Sequence, residues 1–244
     1  MVWVYNHTAV VTYRFYGNTR MCNLALESSM HTREALESIW ASVPPDYYQQ
    51  GVKNNLLQRF WHLGKLRVVL SLIPKHPKTI LDAGSASGWF LSQVSSAYPH
   101  AKCTGIDVYE KAILYAKTLY PNISFLVADV HNIPLRSSSF DLVMCNEVLE
   151  HVVDPKKVLS EIKRVMKPEG RAIIEMDSGN FLFRIAWHWW THMRHGVWED
   201  AHIQVFNAKK LEQMIRDCGF IIEKKKFFNL GMAVAFLVKK RIHA

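Results

Sequence analysis

An α/β sandwich is the fold class that the sequence predicts, and three observations predict it. From Lys78 onward, short apolar runs alternate with helix-length segments, which places helices on both faces of one sheet, in three layers. The runs before the last are apolar on both sides, as strands buried in a mainly parallel sheet are. The first run, Thr79–Ala83, passes through Gly84, three small residues and Gly88 into a helix start at Trp89. Such a strand, tight turn and helix start sets backbone N–H groups against a bound group.

The elements follow in order. Residues 1–30 form an extension with two strand-like stretches, Val2–Tyr5 and Ala9–Tyr16. Thr32 caps a helix reaching about Ser42 and stopped by Pro44-Pro45. Asp46–Gln50 reads as a polar and aromatic connection. Asn54–Ile73 reads as a long helix, with Leu56, Leu57, Phe60, Trp61, Leu63, Val69, Leu70 and Ile73 at helical spacing. Trp61 reads as a packing residue, with lidding a pocket as the lesser reading, and His62 as structural or solvent-facing. Residues 31–74 are thus a helical cap ahead of the α/β unit, residues 75–244. Strands are expected at Thr79–Ala83, Lys102–Val108, Ile123–Ala128, Phe140–Cys145 and Arg171–Met176. Helices are expected at Gly88–Ala97, Glu110–Tyr120, Pro155–Met166 and Asn207–Cys218, the last closed by Gly219. Phe220–Phe228 and Met232–Val238 are joined by Asn229-Leu-Gly231, a connection short enough to make them antiparallel neighbours.

A length of 244 residues suits one such unit with additions, and 49% hydrophobic content with 21% charged residues suits a folded chain. Cys22, Cys103, Cys145 and Cys218 are widely spaced with no CxxC pair, the pattern of free thiols in a reducing, cytoplasmic setting. No secretory signal is read in the first thirty residues, and no apolar run is long enough to span a membrane. The net charge of +9 permits an anionic surface or partner and establishes none. The basic residues are dispersed, which makes nucleic acid a poor fit and leaves peripheral contact with anionic lipid open.

Ligands of open α/β sheets sit beyond the strand C-termini. Asp82, Asp107, Asp129 and Asn146 all fall at such ends and converge on one edge of the sheet. Asp107, 19 residues beyond Gly88, can accept two hydrogen bonds from a ribose diol. Asp129 can receive an adenine amino group. The turn does not fit the G-x-G-x-x-G register of dinucleotide sites, and Asp82 ahead of it would repel a pyrophosphate. It suits a ligand with a cationic portion, such as an adenosyl group attached to an amino acid. An NAD-dependent oxidoreductase is therefore the weaker reading, and a non-catalytic partner protein built on a cofactor fold is opposed by the intact set of Asp82, Gly84, Gly88, Asp107 and Asp129.

Leu81-Asp-Ala-Gly-Ser-Ala-Ser-Gly88, Gly105-Ile-Asp107, Val127–Leu135, Ser139–Pro155 and Val165–Arg171 together resemble the class I S-adenosylmethionine-dependent methyltransferases, especially the group acting on small molecules and lipid quinones. The resemblance covers roughly residues 75–240. It implies a Rossmann-like, seven-stranded sheet with the last strand antiparallel. It also implies that Gly84 to Gly88 lie against the methionine part of S-adenosylmethionine, that Asp82 positions its amino group, and that Asp107 binds the ribose. Asp129 and Val130 would meet the adenine, and Asn146 the sulfonium and amino-acid end. Ala86 departs from the pattern, which has glycine there.

The acceptor is less defined. Residues 178–206 form an insertion with an aromatic–basic mixture. Phe183, Trp187 and Trp190 lie three and four apart, and Trp187, His188 and His192 are the candidate acceptor contacts. The same segment could instead pack on the N-terminal helices or touch a membrane interface. His151 is the candidate base or orienting group, against a purely structural role as an anchor. No metal is expected, because methyl transfer does not require one, although His188 and His192 share a helical spacing. A small-molecule or lipid-like acceptor is favoured over RNA or protein, since Asn146-Glu-Val-Leu149 is unlike the segment of base-amine methyltransferases.

Overall fold

The computed structural model describes residues 43–194 and 206–241; the extension, the helix expected after Thr32 and the second half of the 178–206 insertion lie outside them. Among the described residues the helices are α1 (Tyr47–Asn54), α2 (Leu56–Leu72), α3 (Trp89–Ala97), α4 (Glu110–Leu119), α5 (Pro155–Val165), α6 (Phe181–Arg194) and α7 (Ala208–Asp217). The strands are β1 (Thr79–Ala83), β2 (Lys102–Asp107), β3 (Ser124–Val127), β4 (Phe140–Asn146), β5 (Met166–Asp177), β6 (Phe220–Phe228) and β7 (Ala233–Lys240). One seven-stranded sheet runs in the order β3-β2-β1-β4-β5-β7-β6. All neighbours are parallel except β7, which is antiparallel to β5 and β6.

Alternation along the strands divides the core in two. In β4, Val143 and Cys145 face one side, where Val158, Leu159 and Ile162 of α5 and Leu211 and Ile215 of α7 close over them. Leu142 and Met144 face the other, against Val69 and Leu72 of α2, Leu91 and Val94 of α3 and Ile113 of α4. A strand buried on both faces reads as a continuous apolar run, which is why β1, β4 and β5 are visible in the sequence. The edges are treated differently: β3 is four residues long, while β6 carries Lys224, Lys225 and Lys226. Short or lysine-rich edges resist pairing with another sheet. Three of the thirty Lys and Arg residues thus sit on a sheet edge.

Helix ends follow side-chain capping. Asn55 accepts from the N–H groups of Leu57 and Gln58, Asp154 from that of Lys157 and Asn207 from those of Lys209 and Lys210. Asn55 also corrects the expectation of one helix from Asn54. Its backbone is extended (φ −126°, ψ 113°), so the chain breaks there and a separate helix, α1, replaces the expected connection at Asp46–Gln50. The two are tied where Gln58 Nε2 donates to the Tyr47 hydroxyl at 2.8 Å. β5 is longer than expected because Met166 pairs with Phe140 and Arg171 with Leu142, and Lys167–Gly170 bulges out between them. None of the described helices is long and apolar enough to cross a membrane.

Candidate active site

The β1–α3 turn is held in a left-handed path at three positions: Gly84 (φ 89°), Ala86 (φ 45°) and Gly88 (φ 75°). The N–H groups of Gly84 and Ser85 both donate to the Ile106 carbonyl, at 2.8 and 2.9 Å. Asp107 locks the rest: one carboxylate oxygen accepts from Ala86 N at 2.8 Å and the other from Tyr109 N at 2.9 Å. The turn and the end of β2 are thereby one rigid unit. A Cβ on Gly84 would stand 2.3 Å from Val148 Cγ2, so that position admits no side chain. Ala86 occupies a conformation that favours glycine, at a strain of about 1 kcal/mol.

Beyond the strand C-termini lies a cavity of about 770 Å³, within the range for small-molecule sites. Asp82, Gly84, Ala86, Asp107, Asp129, Val130 and Asn146 line it, as does His151 at the end of the 3₁₀ turn Leu149–His151. Gly88 does not; it starts α3, and a Cβ there would meet the Phe125 ring at 2.6 Å. Burial, opposed by Lys65 and reinforced by Asp107, lifts the Asp82 carboxyl to about 8. Asp129 accepts from His131 N and, at 2.6 Å, pairs with His131 Nδ1. His131 Nε2 accepts from Asp154 N, which fixes the ring proton on Nδ1 when the histidine is neutral. The side-chain atoms of Asn146 and the Ser85 hydroxyl are buried with no hydrogen-bond partner.

The far wall was not foreseen. Trp61 is more than packing: its indole N–H donates to Glu147 Oε1 at 2.6 Å, and Lys65 Nζ donates to Oε2 at 2.6 Å. Burial alone would raise the Glu147 carboxyl, but Lys65, His62 and these hydrogen bonds hold it at about 2. Burial lowers the Lys65 ammonium, yet Glu147, Glu175 and Glu150 outweigh it and raise it overall. Glu147 sits at φ 51°, and its N–H donates to the Glu175 carbonyl. Glu150, 1% exposed, and Asp177 complete this wall. His62 is buried against the rings of Tyr48 and Trp89, and burial with Lys65 lowers its imidazole to about 4. It is therefore neutral and not solvent-facing.

In the insertion, Phe183, Ala186 and Trp189 of α6 line the cavity, and the Phe183 ring lies 6.1 Å from that of Trp61. His188 is on the exposed side of α6, off the cavity wall. The side chains of Trp187, Trp190 and His192 lie outside those described. Among the described residues no cluster of three or more metal-ligating side chains occurs. Asp177 could have been found by extending the strand-end rule to β5, and Glu175 by its place inside Ile173-Ile-Glu-Met176. Lys65 and Glu147 carried no such mark: only the crossing of α2 over the end of β4 brings them together.

A buried, carboxylate-rich ligand cavity at the edge of a mostly parallel α/β sheet is what this geometry defines. Residues 81–174 match the family described as a methyltransferase domain. The chain is 29% identical over 146 residues to malonyl-[acyl-carrier protein] O-methyltransferase of Hahella chejuensis, covering 59% of this chain and 50% of that one. It is 26% identical over 206 residues to demethylmenaquinone methyltransferase of Chlamydia pneumoniae, covering 76% and 86%. Against demethylmenaquinone methyltransferase of Thermotoga maritima it is 30% identical over 127 residues, covering 50% of this chain and 56% of that one. The chain thus spans about half the length of the first and last of these relatives. A solved S-adenosylmethionine-dependent methyltransferase from Aquifex aeolicus shares the fold with a TM-score of 0.63 at 20% identity, over 81% of this chain and 98% of that one. Over residues 81–174 the chain is thus similar to a methyltransferase domain, and its fold is that of solved S-adenosylmethionine-dependent methyltransferases.

Proposed function

We propose that the protein transfers a methyl group from S-adenosylmethionine to a small-molecule acceptor with a hydrophobic, lipid-like portion. The observation that carries this is one continuous cavity. The Asp107-locked turn, the unpartnered polar atoms of Asn146 and Ser85 and the rings of Trp61, Phe183 and Trp189 all belong to it. Relatives named for malonyl-[acyl-carrier protein] and for demethylmenaquinone support an acceptor of this kind.

The bound cofactor supplies a methyl group already attached to a good leaving group, so the protein's part is alignment and exclusion of water. Asp107, with both oxygens anchored by backbone N–H groups, keeps lone pairs for a ribose diol. Asp82 offers a buried carboxyl to an ammonium group. Asp129, oriented by His131, faces an adenine amino group, with Val130 against the ring. Gly84 gives close backbone approach, and Gly88 acts through the helix start. His151 orients the acceptor or takes its proton. The residue 43–74 helices cover the cavity, the role expected of a cap, and α6 supplies the acceptor wall.

Phe181 (78% exposed), Leu182 and Ile185 of α6 and Leu56 (81%) of α2 stand outside, and the half-exposed Phe60 lies on the cavity wall. They support a cytoplasmic protein that touches a membrane surface at the cavity mouth. The test is binding of S-adenosylmethionine and of NAD, each alone, followed by a methyl-transfer screen over quinones, lipids, amines and RNA. Binding of the former only, with turnover on small acceptors, is the expected result. Binding of NAD only, or turnover confined to RNA, contradicts the proposal. His151→Gln should lower kcat at least tenfold while leaving cofactor affinity unchanged.

A further inference from the structure

The chain carries a formal charge of +9, yet its cavity has the opposite character. Among the described residues, seven carboxyl groups line it, Asp82, Asp107, Asp129, Glu147, Glu150, Asp154 and Asp177, against a single Lys or Arg, Lys65. The cofactor roles given above absorb Asp82, Asp107 and Asp129. Asp154 caps α5, and Glu147 is neutralised by Lys65 at 2.6 Å. Glu150 and Asp177 remain.

Glu150 is 1% exposed and lines the cavity, and its Oε2 has no hydrogen-bond partner. Asp177 is 8% exposed; Gly179 N donates to one of its oxygens at 2.9 Å. An unpaired buried carboxyl is costly, and a cationic partner relieves that cost. Behind them Glu175, 1% exposed with both oxygens unpartnered, adds to the acidic character. The other walls of the same cavity are aromatic, including Trp61, Trp89, Phe183 and Trp189. Buried carboxyls and aromatic rings lining one cavity are the setting in which an organic ammonium group is bound. A divalent ion is a poorer fit, because no described residues form a three-ligand cluster.

We propose that the acceptor end of the cavity is a cation subsite in which Glu150 and Asp177 hold the ammonium group of an amine-bearing amphiphile while the aromatic walls take its apolar part. The assignment of this end to the acceptor rests on the methyltransferase reading, but the subsite itself does not require turnover.

The groups around it are Lys65 and His62 from α2, Asp82 and Asp107 from the β1 and β2 ends, Glu147 and His151 around the β4 end, and Glu175 on β5. Lys65 does not fill the subsite, since its Nζ is committed to Glu147.

The test is calorimetric titration of the full chain with n-octylammonium, n-octanol and n-octanoate, each with and without S-adenosylhomocysteine. Octylammonium should bind at least about tenfold more tightly than octanol, and octanoate weakest, because a hydrogen bond to a charged group contributes about 1.5–3 kcal/mol. Asp177→Asn should weaken octylammonium about tenfold, leaving octanol and S-adenosylhomocysteine unchanged. Glu150→Gln should do the same, and Asp177→Asn keeps the test open if that variant fails to fold. Equal affinity for amine and alcohol would overturn the proposal. So would variants that weaken S-adenosylmethionine and not octylammonium, which would assign the acidic wall to the sulfonium. Absence of S-adenosylhomocysteine binding with amine selectivity retained would remove the methyltransferase reading and keep the subsite.

Discussion

Ala86 carries a side chain where the backbone runs at φ 45°. Replacing it by glycine relieves about 1 kcal/mol of strain and returns about half of that as added freedom of the unfolded chain. Ala86→Gly should therefore raise the thermal midpoint by about 1–2 °C and leave cofactor affinity unchanged, as differential scanning calorimetry and titration would show. The sequence marked this position as irregular without saying why; the left-handed φ supplies the reason. Asp82 and Asp177 bear on pH. Burial raises both carboxyls, to about 8 and about 7. Groups whose folded values lie above their unfolded ones favour the fold below about pH 4, and that contribution is lost as pH rises through 7 and 8. Glu147, held at about 2, works in the other direction, and its contribution is lost only as pH falls below about 4 toward 2. The cofactor-free protein should lose thermal stability between about pH 4 and pH 8, and Asp177→Asn should flatten that slope below about pH 7. A midpoint rising over the range would contradict the burial of these carboxyls.

At the scale of elements, α2 has two duties. Its inner side packs Val69 and Leu72 on the sheet, and its first half carries Trp61, His62 and Lys65 over the cavity. Helical periodicity disclosed the packing side. The functional side was not legible, because a lysine in the middle of a helix reads as solvated until its partner is known. Lys65 and Glu147 are 82 residues apart. Removing one partner of a buried pair leaves an uncompensated charge, at about 3–5 kcal/mol. Lys65→Met should thus lower the thermal midpoint by about 10 °C, and Glu147→Gln on top of it should recover much of the loss. Independent, additive losses would contradict the pairing. β4, by contrast, was legible nearly to the residue, since its centre, Leu142–Cys145, is buried on both faces and reads as a continuous apolar run. α1 was missed because Tyr47-Tyr-Gln-Gln-Gly lacks an apolar period and contains a helix-weakening glycine; tertiary contact with α2 holds it.

Across the whole molecule, the sheet order and the site are one fact. Placing β1 between β2 and β4 brings Asp82, Asp107 and Asn146 to a single edge. The strand-end rule found that convergence because it depends only on chain direction. It could not find the helical walls, which depend on how α2 and α6 cross the edge. The strand-end residues of the cavity were consequently readable from spacing, and its helical walls from three-dimensional contact alone. The account therefore stands on the Asp107-locked turn. Calorimetric titration of the full chain with S-adenosylmethionine, in parallel with Asp107→Ala, tests it most directly. One site of micromolar affinity is predicted, weakened at least about thirtyfold in the variant, in keeping with about 2 kcal/mol for hydrogen bonds to a charged group. No binding to the natural chain, or equal affinity in the variant, would contradict it.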